Sequence, residues 1–116
     1  MNVIIETKTQ ENASRLKTDI IAEVRNEKIE TWGYKIILFN NDPCDSIYHD
    51  NDQTRYEENK IIHFRFQVLG TTVIVKESWP TGHEPEKDVK HWLWGRFIEM
   101  LMINYPTRFY SLNIEW

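Results

Sequence analysis

The sequence has little of what most enzyme and metal sites require. It contains a single cysteine, Cys44, so no internal disulfide can form, and this predicts a reducing, cytoplasmic location. Its four histidines do not have the spacing of a zinc site, because His83 and His91 are separated by a proline and by more than one helical turn. Neither a catalytic nor a cofactor motif is present, and we therefore expect a non-enzymatic protein without a bound cofactor or metal.

Long apolar runs are also missing. The most apolar stretch, residues 89–105, is interrupted by charged and polar side chains at Lys90, Arg96 and Glu99, so it does not match a membrane span. The N-terminal residues lack the basic region and apolar core of a secretory signal. We expect a soluble protein with no membrane partner.

Positive charge is scarce in one segment. Residues 40–59 hold six of the eighteen acidic side chains but only one of the fourteen Lys and Arg side chains. The formal net charge of −4 disfavours direct nucleic-acid binding, because that binding requires basic side chains that displace counterions from phosphates. A calcium loop starting at Asp50 is excluded, since Arg55 stands where glycine is needed and Ile61 where the bidentate Glu should be.

What the sequence does contain is a regular alternation of apolar positions. At 116 residues it fits one domain. Thr7 and Gln10 match a capping box, Gly70 offers a hairpin turn, and Pro106 ends the last helical pattern. The periods predict strand 2–6, helix 8–28, strand 31–39, strand 61–69, strand 71–79, helix 85–105 and strand 108–116.

These elements predict a fold of the α+β class. The order is β-α-β-β-β-α-β, and most strands carry one strongly apolar face that needs a cover. Two helices packed on one face of a largely antiparallel sheet bury these faces together. Residues 40–59 have no apolar period, so we expect them to form a long acidic loop within this single domain, 1–116.

The second helical segment is apolar nearly all round. Leu93, Phe97 and Leu101 define one side, while Trp94 and Ile98 extend apolar area around the rest. A sheet covers only part of that circumference. The first helix then covers the remainder, or Trp94, Ile98 and their neighbours form an exposed patch.

A partner is expected to dock on the acidic segment and the adjoining sheet face. Crowded carboxylates favour a basic protein surface, and Tyr48 and Tyr56 are suited to anchor an interface. His63 and Arg65 fall on the polar face of their strand, where Lys35 and Lys76 of neighbouring strands can join them. The predicted partner-binding residues are Asp42, Asp45, Tyr48, His49, Asp50, Asp52, Tyr56, Glu57, Glu58, His63 and Arg65.

The functional hypothesis from these features is a small inhibitor of the immunity-protein or antitoxin type. It neutralises a basic partner, such as a toxin nuclease, by occluding the partner's groove, and it is a monomer or weak dimer. One alternative is a metal-dependent hydrolase or nuclease that uses His49, Asp50 and Asp52, or His63 and Arg65. Another is a structural assembly subunit, for instance of a phage, which self-associates through its aromatic helix and its acidic segment.

Overall fold

Six antiparallel strands form one sheet, and two helices pack on it. The computed structural model describes residues 1–50 and 60–116. The elements are β1 (Asn2–Glu6), α1 (Gln10–Arg25), β2 (Trp32–Phe39), β3 (Asp42–His49), β4 (His63–Leu69), β5 (Thr72–Ser78), α2 (Lys87–Asn104) and β6 (Ser111–Glu115). The predicted α+β class and order of elements are confirmed, with β3 as an additional strand.

The strand order in the sheet is β2-β3-β4-β5-β1-β6. The register pairs Val3 with Val75, Phe66 with Val75, and Ile47 with Phe64, so the apolar positions of successive strands share one face. Both helices cover this face, here called the helix-covered face, as predicted. The opposite face, called the open face, carries neither helix.

The first helix starts later than predicted. Thr9, not Thr7, is the N-cap, and its hydroxyl accepts a hydrogen bond from the backbone N–H of Asn12 at 3.0 Å. Thr7 is buried, and its hydroxyl donates to the carbonyl of Thr71 at 2.6 Å. Thr7 thus holds the end of β1 on the β4–β5 turn through both its hydroxyl and its backbone N–H, and the helix begins only at Gln10.

The second helix supplies the aromatic part of the core. Phe97 stacks on Phe64 with ring centroids 4.8 Å apart, and Trp94 meets the same ring edge-on at 4.8 Å. Trp94 also donates its indole N–H to Glu77 at 2.9 Å and is buried, so the alternative of an exposed patch around Trp94 is wrong. Trp92, Met102 and Ile103 remain exposed.

Neither helix of the described chain combines the length and the apolar character that a membrane crossing needs.

The largest correction concerns the acidic segment. Residues 42–49 form β3, which pairs with β2 along eight residues, from Trp32 with His49 to Phe39 with Asp42. The predicted loop over 40–59 is therefore wrong for residues 42–49. Their polar sequence does not indicate a strand, but the apolar strand β2 pairs with them. Residues 51–59 lie outside the described part of the chain.

Candidate protein-binding surface

The β2–β3 hairpin ends in an arm at the edge of the sheet. This arm, residues 36–45, turns through Asn40 and Asn41, whose φ angles are 52° and 66°. Positive φ at both central residues is the requirement of a type I′ turn, and Asn tolerates it better than other residues with a side chain. Beyond β3, only Ser46 and Ile47 pair with β4 among the described residues, so β3 has no neighbouring strand along the arm.

Three large apolar side chains of the arm are exposed to solvent. The exposed fractions are 58% for Ile36, 74% for Leu38 and 42% for Phe39. Trp32, at the start of the same strand, is buried against Phe97 of α2, so the cover provided by the helices ends between Trp32 and Ile36. The arm therefore carries apolar surface that the fold itself does not bury.

Two predicted site residues, Asp42 and Asp45, lie on opposite faces of this arm. Both are exposed. Asp42 pairs in register with Phe39, whereas Asp45 pairs with Ile36 and accepts a hydrogen bond from the Tyr34 hydroxyl. That hydrogen bond raises the pKa of Tyr34, since ionisation would place two anions side by side. Acidic groups thus border the exposed apolar side chains.

The open face beside the arm is basic. The register aligns Lys35 with Ser46, Ser46 with Arg65, and Arg65 with Lys76. This produces a row of three cations across four strands, with Ser46 between Lys35 and Arg65. The guanidinium carbon of Arg65 lies 3.7 Å from the centroid of the Phe39 ring, a cation–π contact that ties the end of β2 to β4. The sequence alternation predicted that these basic residues share a face, and the register confirms it.

Tyr48 lies on the open face across from Gly33. A Cβ on Gly33 would stand 2.5 Å from Cζ of Tyr48, so the ring occupies the space that glycine leaves empty. The same ring meets His63 at 5.7 Å in an edge-on arrangement. Gly33 therefore positions Tyr48, and Tyr48 helps to cover His63.

His63 is on the open face by its register but is largely enclosed. Its exposed fraction is 7%, and burial, followed by the charge of Lys35, lowers the pKa of its imidazole to about 4. At neutral pH the ring carries no charge. His63 contributes shape and a neutral polar group to this surface, and little positive charge.

His49 does not belong to the same surface. It faces the helices, where its ring lies 5.4 Å from Trp32 and 5.2 Å from Trp92. Burial is the main cause of its lowered pKa, and Arg96 adds to it. Next along the chain, the backbone N–H of Asp50 donates to the carbonyl of Thr31 at 2.7 Å. Because successive residues of a strand point to opposite faces, His49 and Tyr48 lie on different faces of the sheet. A predicted loop has no such faces, so this separation was not predicted.

The structure therefore brings together only some of the predicted site residues. Tyr48, His63 and Arg65 share the open face, and Asp42 and Asp45 lie on the arm. The remaining predicted residues, Asp52, Tyr56, Glu57 and Glu58, lie outside the described chain. In residues 1–50 and 60–116, no group of three or more His, Cys, Asp and Glu side chains is arranged to hold a metal ion.

The apolar residues of the arm were not predicted as site residues. Ile36 and Leu38 alternate as a buried strand does, so the sequence gives no sign that the helices stop short of them. The Asn40–Asn41 pair was the available signal for the arm, since asparagine is favoured in hairpin turns. No protein-family model, no curated protein and no solved structure was found to match this chain.

Proposed function

We propose that the chain is a protein-binding domain that docks a cognate protein through the β2–β3 arm. The observation that carries this proposal is the exposure of Ile36 and Leu38 on one face, and of Phe39 on the other face, of a hairpin that extends from the core. Neighbouring exposed apolar side chains with a polar margin are typical of protein interaction surfaces. Burial of these side chains by a partner would supply the apolar centre of the interface.

The charge beside the apolar centre favours a basic partner. Asp42 and Asp45 border it, and residues 40–59 as a whole carry six acids against one base. Such charges raise the rate of association with a positive surface and discriminate against acidic partners. A nuclease or similar toxin, whose groove binds phosphate, presents a surface of this kind.

The mechanism we propose is occlusion, as in inhibitors of the immunity-protein or antitoxin type. The arm enters the partner's basic groove, its carboxylates take the place of phosphates, and Leu38 and Phe39 fill apolar pockets near the groove. Substrate is then excluded without any chemical step by this chain. The absence of catalysis remains a prediction.

The basic row on the open face refines this proposal. A partner that extends from the arm onto the open face meets Lys35, Arg65 and Lys76, which favour acidic groups. We therefore expect a partner surface of mixed charge, with basic residues opposite the arm and acidic residues opposite the row. Such an alternation of charge would fix the orientation of the complex.

A charge-reversal experiment tests the basic character of the partner. The tagged wild-type protein is used to isolate its partner from the source cells, and the affinity of the purified partner is then measured for the Asp42→Lys/Asp45→Lys variant. We expect a loss of at least about tenfold in affinity, with the strongest effect at low salt. Glu11→Lys/Glu115→Lys is the matched control, because it changes the net charge equally at exposed sites away from the arm.

Equal affinity of the arm variant and the control variant would contradict the proposed electrostatic docking. Thermal unfolding of both variants is recorded in parallel, so that a binding loss caused by misfolding is recognised. A partner whose own surface is acidic opposite the arm would also contradict the inhibitor mechanism.

Self-association as an assembly subunit is a second candidate. The other edge of the sheet also carries exposed apolar residues, namely Ile114 in β6 and Tyr110 and Trp116, which flank β6. Two apolar edges on one molecule allow a head-to-tail contact that continues from copy to copy. Sedimentation of the isolated protein distinguishes the candidates: a monomer favours the inhibitor, and a ring or larger oligomer favours the assembly subunit.

A further inference from the structure

A second candidate site lies beside the arm, and its lining residues include Ile36, Ile37 and Leu38 of the arm. It is a cleft of about 320 Å³ between β2 and the end of β5. Three of its lining side chains are polar, those of Lys35, His63 and Ser78, and its apolar lining includes Ile37, Trp79 and Pro80. Each of the three polar side chains can donate a hydrogen bond, and no carboxylate side chain lines the cleft in the described part of the chain.

Lys35 gives the cleft one uncompensated positive charge. Its side chain is exposed, and none of the described carboxylates lies within ion-pair distance of it. Lys35 contributes to the lowered pKa of His63, so its charge acts on the floor of the cleft. An anion that enters the cleft would therefore meet a positive potential that no carboxylate of residues 1–50 and 60–116 neutralises by an ion pair.

His63 forms part of this lining and has an unused polar atom. Its Nδ1 is enclosed and has no hydrogen-bond partner among the described residues. An enclosed N–H without an acceptor is costlier than an enclosed lone pair, so the neutral ring is expected to carry its proton on Nε2. With a pKa of about 4 the ring stays neutral at pH 7, and Nε2–H is the group it can offer to a ligand.

We propose that this cleft binds the carboxylate group of an apolar ligand. The carboxylate accepts hydrogen bonds from Lys35 Nζ, His63 Nε2 and Ser78 Oγ, while the apolar body packs on Ile37, Trp79 and Pro80. A phosphate dianion fits less well, because Lys35 is the single cation among the described lining residues. Two sources supply the same chemistry: a free aryl or alkyl carboxylic acid, and the C-terminal residue of a peptide. The cleft shares Ile36 and Leu38 with the arm, but carboxylate binding by the isolated chain is tested without any docked protein.

The experiment is a titration of the full chain followed by amide resonances in ¹H–¹⁵N NMR spectra. Four probes are used: 3-phenylpropionate, its neutral amide, the tripeptide alanyl-alanyl-phenylalanine, and the same tripeptide with an amidated C-terminus. We expect at least one carboxylate probe to shift the resonances of Lys35, His63 and Ser78. Its amide counterpart is expected to bind at least about tenfold more weakly, because it loses the charge-assisted hydrogen bonds.

Variants test the role of Lys35. The affinity for the carboxylate probe should fall about tenfold or more in Lys35→Gln. Lys76→Gln removes the same charge from the same face without altering the lining of the cleft, so its affinity should stay within about twofold of wild type. Melting temperatures confirm that both variants are folded.

Each outcome decides the proposal. Binding of the free acid alone assigns the cleft to small organic acids, and binding of the peptide alone assigns it to a C-terminus; both support a carboxylate site. Equal affinities for acid and amide, equal losses in the Lys35 and Lys76 variants, or no shift with any probe would overturn it.

Discussion

Strand β4 of the β4–β5 hairpin and strand β2 of the β2–β3 hairpin alternate apolar side chains in the same way but have different surroundings. Phe64 of β4 is fully buried by α2, whereas Ile36 and Leu38 of β2, on the corresponding face, are mostly exposed. The reason is position: β4 and β5 are central strands, and β2 is an edge strand whose outer half extends past the helices. Alternation thus predicts which residues share a face, while coverage of that face depends on where the helices lie.

The first way to sharpen this comparison is to truncate a phenylalanine in each hairpin. Phe64→Ala should lower the free energy of unfolding by about 3–5 kcal/mol, because it leaves a cavity among Trp94, Phe97 and Trp32. Phe39→Ala should cost less than about 1 kcal/mol, since that ring is 42% exposed and loses one cation–π contact, with Arg65. Urea unfolding of both variants gives the two values. Similar costs would show that the arm is part of the core.

The second prediction concerns the pH dependence of stability at the base of the arm. The pKa of His63 in the folded protein is about 4, below the ordinary value of 6.5, so the unfolded chain binds more protons between these values. The contribution of His63 is therefore fully present above pH 6.5 and is lost as the pH falls towards 4, by up to about 3 kcal/mol.

Urea unfolding of the wild type and of His63→Gln across this pH range isolates that contribution. The difference between the two proteins should change with pH, because the variant lacks the titrating ring while its carboxylates remain the same. A constant difference from pH 6.5 to pH 4 would show that His63 is not enclosed as described.

A smaller effect is expected at Gly33, where β2 passes under Tyr48. Gly33→Ala should displace the Tyr48 ring, because the new methyl group would lie 2.5 Å from its Cζ. We expect a loss of about 1 kcal/mol in stability and a rise of the His63 pKa towards 6.5, since the displaced ring no longer shields the imidazole. NMR titration of the imidazole resonances measures this pKa. An unchanged pKa would mean that Tyr48 does not cover His63.

Most of the fold could be predicted from the sequence because local signals agreed with the tertiary structure. Gly70, flanked by two alternating runs, predicted the β4–β5 hairpin, and Gly70 indeed takes a positive φ of 60°. The pairing of Lys35, Arg65 and Lys76 on one face followed from alternation alone. Thr9, not Thr7, is the helix cap, because Thr7 still continues the end of β1, where its hydroxyl and backbone N–H both donate to Thr71, a tertiary contact that no local pattern reveals.

Strand β3 and the exposed arm could not be predicted because they depend on tertiary contacts: strand pairing with β2 and the extent of the surface that the helices cover. The sequence DPCDSIYH has few apolar positions and contains Pro43, which usually argues against a strand. Pro43 is tolerated because β3 has no further neighbouring strand at that point among the described residues. The prediction grouped His49 with Tyr48 in one binding site because it treated β3 as a loop, and a loop has no alternating faces.

The most direct test of the account is the affinity of the isolated partner for Leu38→Asp, measured beside Ser14→Asp on the exposed side of α1. Leu38 is 74% exposed, so the account predicts an unchanged free energy of unfolding together with a loss of at least about a hundredfold in affinity, and wild-type affinity for Ser14→Asp. Undiminished affinity of a folded Leu38→Asp protein would contradict the claim that the exposed apolar side chains of the β2–β3 arm form the docking surface.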